Sequence, residues 1–328
     1  MTEKIVSIRG LCKTYRVPLR GEGLAESFKS LFHRTYTEVQ AIQDVNFSIQ
    51  TGEVVGFIGP NGAGKTTTLK ILAGLLHPTS GEARIAGYIP WERKNEFLQS
   101  ITMVLGNKSQ MMWDIPPMET FRVLGEIYKV DHREFDQTLD ELVNLLEMED
   151  LLHKPVRNLS LGERMKCELT AGLLHRPKVL FLDEPTLGLD VSMQSRLRQF
   201  LKTYNQRTAA TIILTSHYMA DVTALCPRVI LIHQGKLIYD GELNKLSERL
   251  LPFKIIRFSR TDGGVEINLP PGVDELPQEE EHFVWRTNRS DAASIISKLL
   301  SFGSIVDLTV EDPPIEAVID QIYTGGGL

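Results

Sequence analysis

Apolar positions along this chain change period from segment to segment, and each period predicts an element. "VQAIQDVNFSI" alternates apolar and polar residues, the period of a half-buried strand. "KIVSIRGLCKTY" reads as a strand with a turn, and "TGEVVGFIG" as a turn leading into a short buried strand. Thr66 to Leu75 reads as a helix stopped by the turn residues of "HPTSG". "ITMVLG" is a further strand. From about Pro117 to His175 the period becomes helical: Phe135, Leu139, Leu142, Val143 and Leu146 recur at i, i+4, i+7, i+8 and i+11. "KVLFLDE" and "ATIILTS" are short, apolar and β-rich, as central strands of a parallel sheet are. "RVILIHQGKLIYDGE" predicts a hairpin turning at Gln234–Gly235.

Two stretches stand apart. A spacer over 17–38 separates the first two strands. Within it Leu24, Phe28, Leu31 and Phe32 fall at helical spacing, with Lys29, His33 and Arg34 on the other face. Packing on its own domain, or contact with a partner or a membrane surface, would each use such a face. After about Leu246 the character changes. "FKIIRFSRTDGGVEINL" predicts a hairpin around Asp262-Gly263-Gly264, "HFVWRTN" a strand, "DAASIISKLLSF" a helix, "IVDLTV" a strand and "PIEAVIDQIY" a helix. "DELPQEEEH" reads as an acidic solvated loop. The organisation predicted is an α/β domain over 1–245, with a helical subdomain at about 115–175, then a small α+β accessory domain over 246–328.

Composition narrows the function classes. The net charge of −6 lacks the basic excess of a general nucleic-acid binder, so no nucleic-acid partner is expected. Cys12, Cys167 and Cys226 lie far apart and form no CxxC pair, which argues against a disulfide framework or zinc site. "MTEKIVSIRG" holds no signal-peptide core. No run approaches the roughly 20 apolar residues that span a bilayer.

The chemistry begins at "GPNGAGKT", which matches GxxxxGK[ST] between a predicted strand and a predicted helix. Gly59, Asn61, Gly62, Ala63, Gly64, Lys65, Thr66 and Thr67 are the candidate phosphate-binding run. Glycines let backbone N–H groups close around phosphate, helped by the helix N-terminus. Lys65 would hold the β- and γ-phosphates, and Thr66 a magnesium ion. "VLFLDE" adds two carboxylates at a buried strand's end. Asp183 suits magnesium, and Glu184 suits orienting or deprotonating an attacking water. In "NLSLGERMK", Ser160 and Glu163 form a capping box before an apolar helix.

Taken together, "GPNGAGKTT", "NLSLGERMK", "VLFLDEPTLGLD" and "ILTSHY" resemble, in order and spacing, the ATP-binding subunits of ABC transporters. The resemblance covers about Ile5 to Gly241. It implies a P-loop NTPase (RecA-like) core with an antiparallel β subdomain and a helical subdomain, binding ATP and Mg2+. The usual signature is LSGGQ; here Ser160 and Gly162 remain, Glu163 is an acidic variant, and Leu161 departs. In that family Ser160, Gly162 and Glu163 would face the γ-phosphate held by a second subunit. Asp190 would belong to the loop crossing the dimer interface. His217 would contact the γ-phosphate and help position water and Glu184. Tyr15 matches the aromatic that stacks on adenine.

The resemblance further implies partners: a second copy or a similar ATPase subunit, and separate integral membrane permease chains at the cytoplasmic face of the cell membrane. "SQMMWDIPPMETF" and "VEDPPIEAVIDQIY" resemble the ABC-2 or daunorubicin-resistance exporters. A drug-like or amphiphilic cargo is expected, with polysaccharide or lipid export as the alternative and DNA-repair or translation ATPases as a different class. Met111, Met112 and Trp113 either form a docking groove for a permease or pack beneath the helical subdomain. The family usually places a Gln just after the strand "ITMVLG", at the metal and the attacking water. By register Asn107 fills that position, not Gln110, with about 1.5 Å less reach. Gln110 and Trp113 are then expected at the hinge and docking surface.

Overall fold

A computed structural model describes residues 3–18, 36–106, 108–250, 253–260, 269–279, 282–301 and 305–313. Internal contacts divide the chain into Met1–Gly241 and Glu242–Leu328, and each unit is taken by itself.

The first unit opens with two long strands, β1 (Lys4–Pro18) and β2 (Tyr36–Gln50), then β3 (Val54–Ile58), helix α1 (Lys65–Leu72) and β4 (Ser80–Ile85). β1 pairs antiparallel with both β2 and β4, giving a three-stranded sheet ordered β2-β1-β4. Period-2 apolar positions make one face of this sheet: Val6 and Ile8, and Val45, Phe47 and Ile49, are buried, and Ile42 joins them across a register shift. β1 and β2 reach further than the sequence predicts. They leave 19–35 as the spacer, so the expected amphipathic stretch lies outside the described residues.

The second sheet carries the chemistry. α2 (Asn95–Ser100) leads into β5 (Ile101–Leu105). Next come α3 (Pro117–Tyr128), α4 (His132–Leu146) and α5 (Leu161–Leu173), the helical subdomain. β6 (Val179–Asp183), α6 (Val191–Thr208), β7 (Thr211–Thr215), α7 (Met219–Leu225), β8 (Arg228–His233) and β9 (Lys236–Glu242) follow. The six strands are ordered β5-β6-β7-β3-β8-β9, with β5 to β8 parallel neighbours in that row. Every residue of β6 and β7 is buried, which accounts for their unbroken apolar runs. The Gln234–Gly235 turn has φ of 47° and 78°, the left-handed pair a two-residue hairpin requires.

Helix ends follow local chemistry. α1 stops at Leu72, short of the predicted Leu75, because Leu75 and Leu76 both donate back to the Lys70 carbonyl as the chain turns. Asp131 caps α4 by accepting from the Arg133 N–H at 3.0 Å, and Leu139, Leu142, Val143 and Leu146 bury its apolar stripe.

The second unit contains α8 (Leu243–Leu250), β10 (Phe253–Arg260), β11 (Val273–Glu279), β12 (His282–Asn288), α9 (Ala292–Ser301) and β13 (Ile305–Glu311). Its antiparallel sheet is ordered β11-β12-β10-β13. Ile295 and Leu299 of α9 join Ile256, Phe258, Val273 and Trp285 in one core, where Trp285 meets Phe258 edge-on at 4.9 Å.

One expectation is corrected here. The acidic stretch is not a loop: Asp274, Glu275 and Leu276 pair with Arg286, Trp285 and Val284 in an edge strand. An edge tolerates both its charges and Pro277, which has no N–H to contribute. The hairpin expected at 262–264 falls on residues outside those described. β10 itself pairs with β12 on one side and β13 on the other. The helix expected in "PIEAVIDQIY" also lies outside the described residues.

Candidate functional site

The loop from Gly59 to Gly64 joins the end of β3 to the start of α1, so a parallel strand delivers the chain directly into a helix N-terminus. Gly64 has φ of 108°, and a Cβ there would meet the Ala41 carbonyl oxygen at 2.4 Å. Only glycine fits. Asn61 and Gly62 are exposed at the loop's crest, Ala63 is buried beneath it, and Thr66 and Thr67 are half-buried in the first turn of α1.

Lys65 is the most constrained member. Its side chain is 6% exposed, and Nζ donates to the Gly59 carbonyl at 2.6 Å and the Pro60 carbonyl at 3.1 Å. Burial pulls its pKa down, and the nearby Glu184 and Asp183 carboxylates pull the other way. The ammonium thus lies folded over the loop's own carbonyls at the start of α1, a helix N-terminus that favours an anion.

Asp183 ends β6 below this loop. Its Oδ1 accepts from Thr66 Oγ1 at 3.2 Å and from Thr215 Oγ1, at the end of β7, at 2.7 Å. The next residue, Glu184, turns away with φ of 56°, a left-handed conformation costing about 1–2 kcal/mol for a non-glycine residue. Its N–H donates to the Thr215 carbonyl and hydroxyl, both at 3.1 Å, which holds the turn. Its Oε1 lies 2.8 Å from His217 Nε2. The fold therefore brings Lys65, Thr66, Asp183, Glu184 and His217 to one end of the sheet, from segments over 150 residues apart in sequence.

The other predicted residues stand elsewhere. Ser160 and Glu163 form the full capping box of α5: the Ser160 N–H donates to Glu163 Oε2 at 2.8 Å, and the Glu163 N–H to Ser160 Oγ at 3.3 Å. Hydrogen bonds from Ser160 hold the Glu163 pKa below its usual range. Gly162 faces Met193 of α6, and Leu161 lies over Gly188. Asp190 caps α6, accepting from the Met193 N–H at 2.9 Å. Among the described residues no hydrogen bond joins Ser160, Gly162, Glu163 or Asp190 to the 59–67 loop or to Glu184. Tyr15 is a half-buried residue of β1, with Lys13 Nζ over its ring at 5.1 Å. Asn107 lies outside the described residues. Gln110 turns toward α5, its Nε2 donating to the Glu168 carbonyl at 3.2 Å. The methionine–tryptophan cluster divides: Met111 is core, whereas Met112 and Trp113 are 46% and 48% exposed, with the Arg164 guanidinium over the Trp113 ring at 5.1 Å.

Asp221 is the participant that sequence reasoning missed. It is wholly buried in the first turn of α7, with Oδ2 accepting from Thr186 Oγ1 at 2.5 Å and Ser216 Oγ at 2.7 Å. Its Oδ1 accepts from Arg198 of α6 at 2.7 Å. One carboxylate thus fixes the segment after Glu184, the residue before His217, and α6. The only signal in the sequence is an Asp four positions beyond His217.

A glycine-lined loop feeding a helix from a parallel sheet, paired carboxylates at the adjacent strand, and a helical insertion with a capped Ser-x-Gly-Glu define an ATP-binding P-loop ATPase of the cassette type. Comparison with known proteins agrees. The sequence model of the ABC transporter family matches residues 42–187. The ABC transporter ATP-binding protein NatA of Bacillus subtilis is 34% identical over 229 residues, covering 69% of this chain and 93% of that protein. The linearmycin resistance ATP-binding protein LnrL of Bacillus subtilis is 30% identical over 217 residues, covering 66% of this chain and 69% of that one. The bacitracin transport ATP-binding protein BcrA of Bacillus licheniformis is 29% identical over 225 residues, covering 68% and 72%. A solved ATP-binding subunit of an ABC transporter shares the fold with a TM-score of 0.61 at 23% identity, over 75% of this chain and 92% of its own. The chain belongs to the ABC transporter ATP-binding proteins and is an ATPase of that type.

Proposed function

We propose that this chain is the ATP-hydrolysing subunit of an ABC-2 type exporter, working as a head-to-tail pair beneath separate permease chains at the cytoplasmic face of the cell membrane. The observation that carries the reading is the Glu184–His217 pair, 2.8 Å apart beside Lys65, Thr66 and Asp183. In this reading the γ-phosphate of ATP replaces the Gly59 and Pro60 carbonyls as partner of Lys65 Nζ. Glu184 takes the proton of the attacking water as its oxygen bonds to the γ-phosphorus, and the bond to the β–γ bridging oxygen breaks to release ADP. His217 holds Glu184 in place and contacts the γ-phosphate. Tyr15 stacks on adenine, and Asn107 senses the nucleotide from the end of β5.

The donors fit a magnesium ion. Thr66 Oγ1 and Asp183 Oδ1 lie 3.2 Å apart, both oxygen, and no group of three or more His, Cys, Asp or Glu is clustered among the described residues. Such a sparse donor set suits an ion completed by water and phosphate oxygens. When bound, the ion neutralises charge on the phosphate oxygens.

Ser160, Gly162, Glu163 and Asp190 have no role toward their own chain's phosphate loop in this reading; they serve the nucleotide of a second copy. At the exposed N-terminus of α5 the capping box engages the Ser160 and Glu163 N–H groups, and those of Leu161 and Gly162 are the ones left for that task. In this reading residues 246–328 form an accessory domain. The relatives named for bacitracin transport and linearmycin resistance support a drug-like or amphiphilic cargo. Among the described residues no helix is long and apolar enough to cross a membrane; in this reading separate permease chains form the path. The test is Glu184→Gln with ATP and Mg2+, followed by sedimentation, and co-purification with the permease. A monomer that hydrolyses ATP normally would remove the proposed role of Glu184, and recovery with ribosomes or DNA would remove the transport reading.

A further inference from the structure

Glu168 lies two turns into α5 and is 5% exposed, and among the described residues its carboxylate meets N–H and O–H donors rather than a Lys or Arg. A buried carboxylate without a cation is unfavourable unless donors surround it. Here the donors come from one short segment. The Ser109 hydroxyl donates to Oε1. The Gln110 N–H donates to Oε1 and Oε2 at 3.1 and 3.2 Å, and the Met111 N–H to Oε1 at 3.3 Å. Gln110 Nε2 returns the contact through the Glu168 carbonyl at 3.2 Å.

The position of that segment gives the contact its meaning. Three residues upstream of Ser109, the Gly106 N–H donates to the Asp183 carbonyl at 2.9 Å. Gly106 also packs so closely on the Glu184 carbonyl oxygen that a Cβ there would sit at 2.1 Å. A backbone path therefore runs from the two acidic residues at the end of β6, through Gly106, to Ser109–Met111. It ends on a single buried carboxylate of the helix whose N-cap is Ser160.

We propose that Glu168 is a positioning residue: it latches the segment after β5 to α5, so that the state of the hydrolytic end of β6 sets the orientation of Ser160. This rests on the ATPase reading above and adds to it a specific mechanical tie within one chain. Glu168→Gln keeps the side chain's volume but leaves one acceptor oxygen and turns the other into a donor facing N–H groups. Ser109→Ala removes the hydroxyl from the loop side, and Ser109→Thr keeps it.

The experiment uses the full chain. Affinity for a fluorescent ATP analogue, steady-state kcat and KM, and thermal stability are measured for Glu168→Gln, Ser109→Ala and Ser109→Thr. ATP-driven dimer formation is read by sedimentation with each change placed on Glu184→Gln. Expected are analogue affinity and KM within about 2-fold, kcat lowered about 10-fold, as loss of a charge-assisted hydrogen bond predicts, weaker dimerisation, and recovery in Ser109→Thr. Unchanged kcat and dimerisation in Ser109→Ala overturn the latch, as does a loss of kcat matched by an equal loss of nucleotide affinity. Should Glu168→Gln fail to fold, the two Ser109 variants decide. A Glu184→Gln parent that does not dimerise with ATP counts against the ATPase-pair reading itself. A parent that dimerises together with equally competent latch variants counts against the latch alone.

Discussion

His217 Nε2 and Glu184 Oε1 stand 2.8 Å apart, and two separate restraints hold them there. Glu184 is pinned through its N–H to Thr215, and His217 through Ser216, whose hydroxyl donates to Asp221. Preorganisation of this kind is spent on the transition state rather than on binding. His217→Ala should therefore lower kcat about 100-fold while leaving ATP affinity within about 2-fold, since proton-transfer and water-positioning groups contribute on that scale. Single-turnover hydrolysis beside equilibrium binding of an ATP analogue checks the split. Equal losses in both would assign His217 to binding.

Asp221 supplies the second prediction. Its carboxylate is fully buried and paired with the half-buried Arg198, so truncation strands that cation and two hydroxyls. Asp221→Ala should cost about 3–5 kcal/mol, the usual effect of breaking a buried pair. Asp221→Asn, which keeps the shape, should cost less. Thermal unfolding of both variants measures the difference. A change under about 1 kcal/mol for Asp221→Ala would show that the network is relaxed by local repacking.

How much of this was legible beforehand depends on how local the cause is. β6 and β7 were readable because burial on both faces forces an unbroken apolar run. The phosphate loop was readable because its residues are contiguous. The capping box of Ser160 and Glu163 was readable because its partners lie three positions apart. Asp221 was not, because its partners Thr186 and Arg198 lie 35 and 23 residues away and meet only through packing. β11 was misread for a related reason. Asp274, Glu275 and Pro277 have poor strand propensity, and only the available edge of β12 makes them a strand. The left-handed turn at Glu184 carries no mark in "LDEP", since it is imposed by the bonds to Thr215.

The three cysteines should separate by reactivity. Burial pushes the Cys167 thiol up to about 12, and raises that of Cys226 further. Cys12 is half-buried, with the Asp44 N–H donating to its sulfur at 3.2 Å. A thiol-alkylating reagent at pH 8 should label Cys12 first in the native protein and the other two only after unfolding. Peptide mass spectrometry across a denaturant series reads this directly. Native labelling of Cys167 would mean that α5 opens locally far more readily than its burial implies.

The cap of α5 makes a prediction with a defined pH window. Glu163 titrates below its ordinary range because its carboxylate accepts hydrogen bonds from Ser160. A carboxylate whose folded pKa is depressed stabilises the fold fully above its unfolded pKa, about 4.3. That contribution is lost as pH falls through the lower folded value. Glu163→Ala should therefore cost about 1 kcal/mol at pH 7, the usual magnitude for half of a capping box. The difference from the parent should shrink steadily as pH drops below about 4. Ser160→Ala should show a comparable cost at pH 7, because it removes the other half of the same reciprocal pair. Paired thermal melts at pH 7 and at about pH 3 check both, with circular dichroism reporting the helices. A penalty for Glu163→Ala that stays constant with pH would mean that the residue acts through packing rather than through its charge. That outcome would detach the depressed pKa from the stability of the helix that presents Ser160.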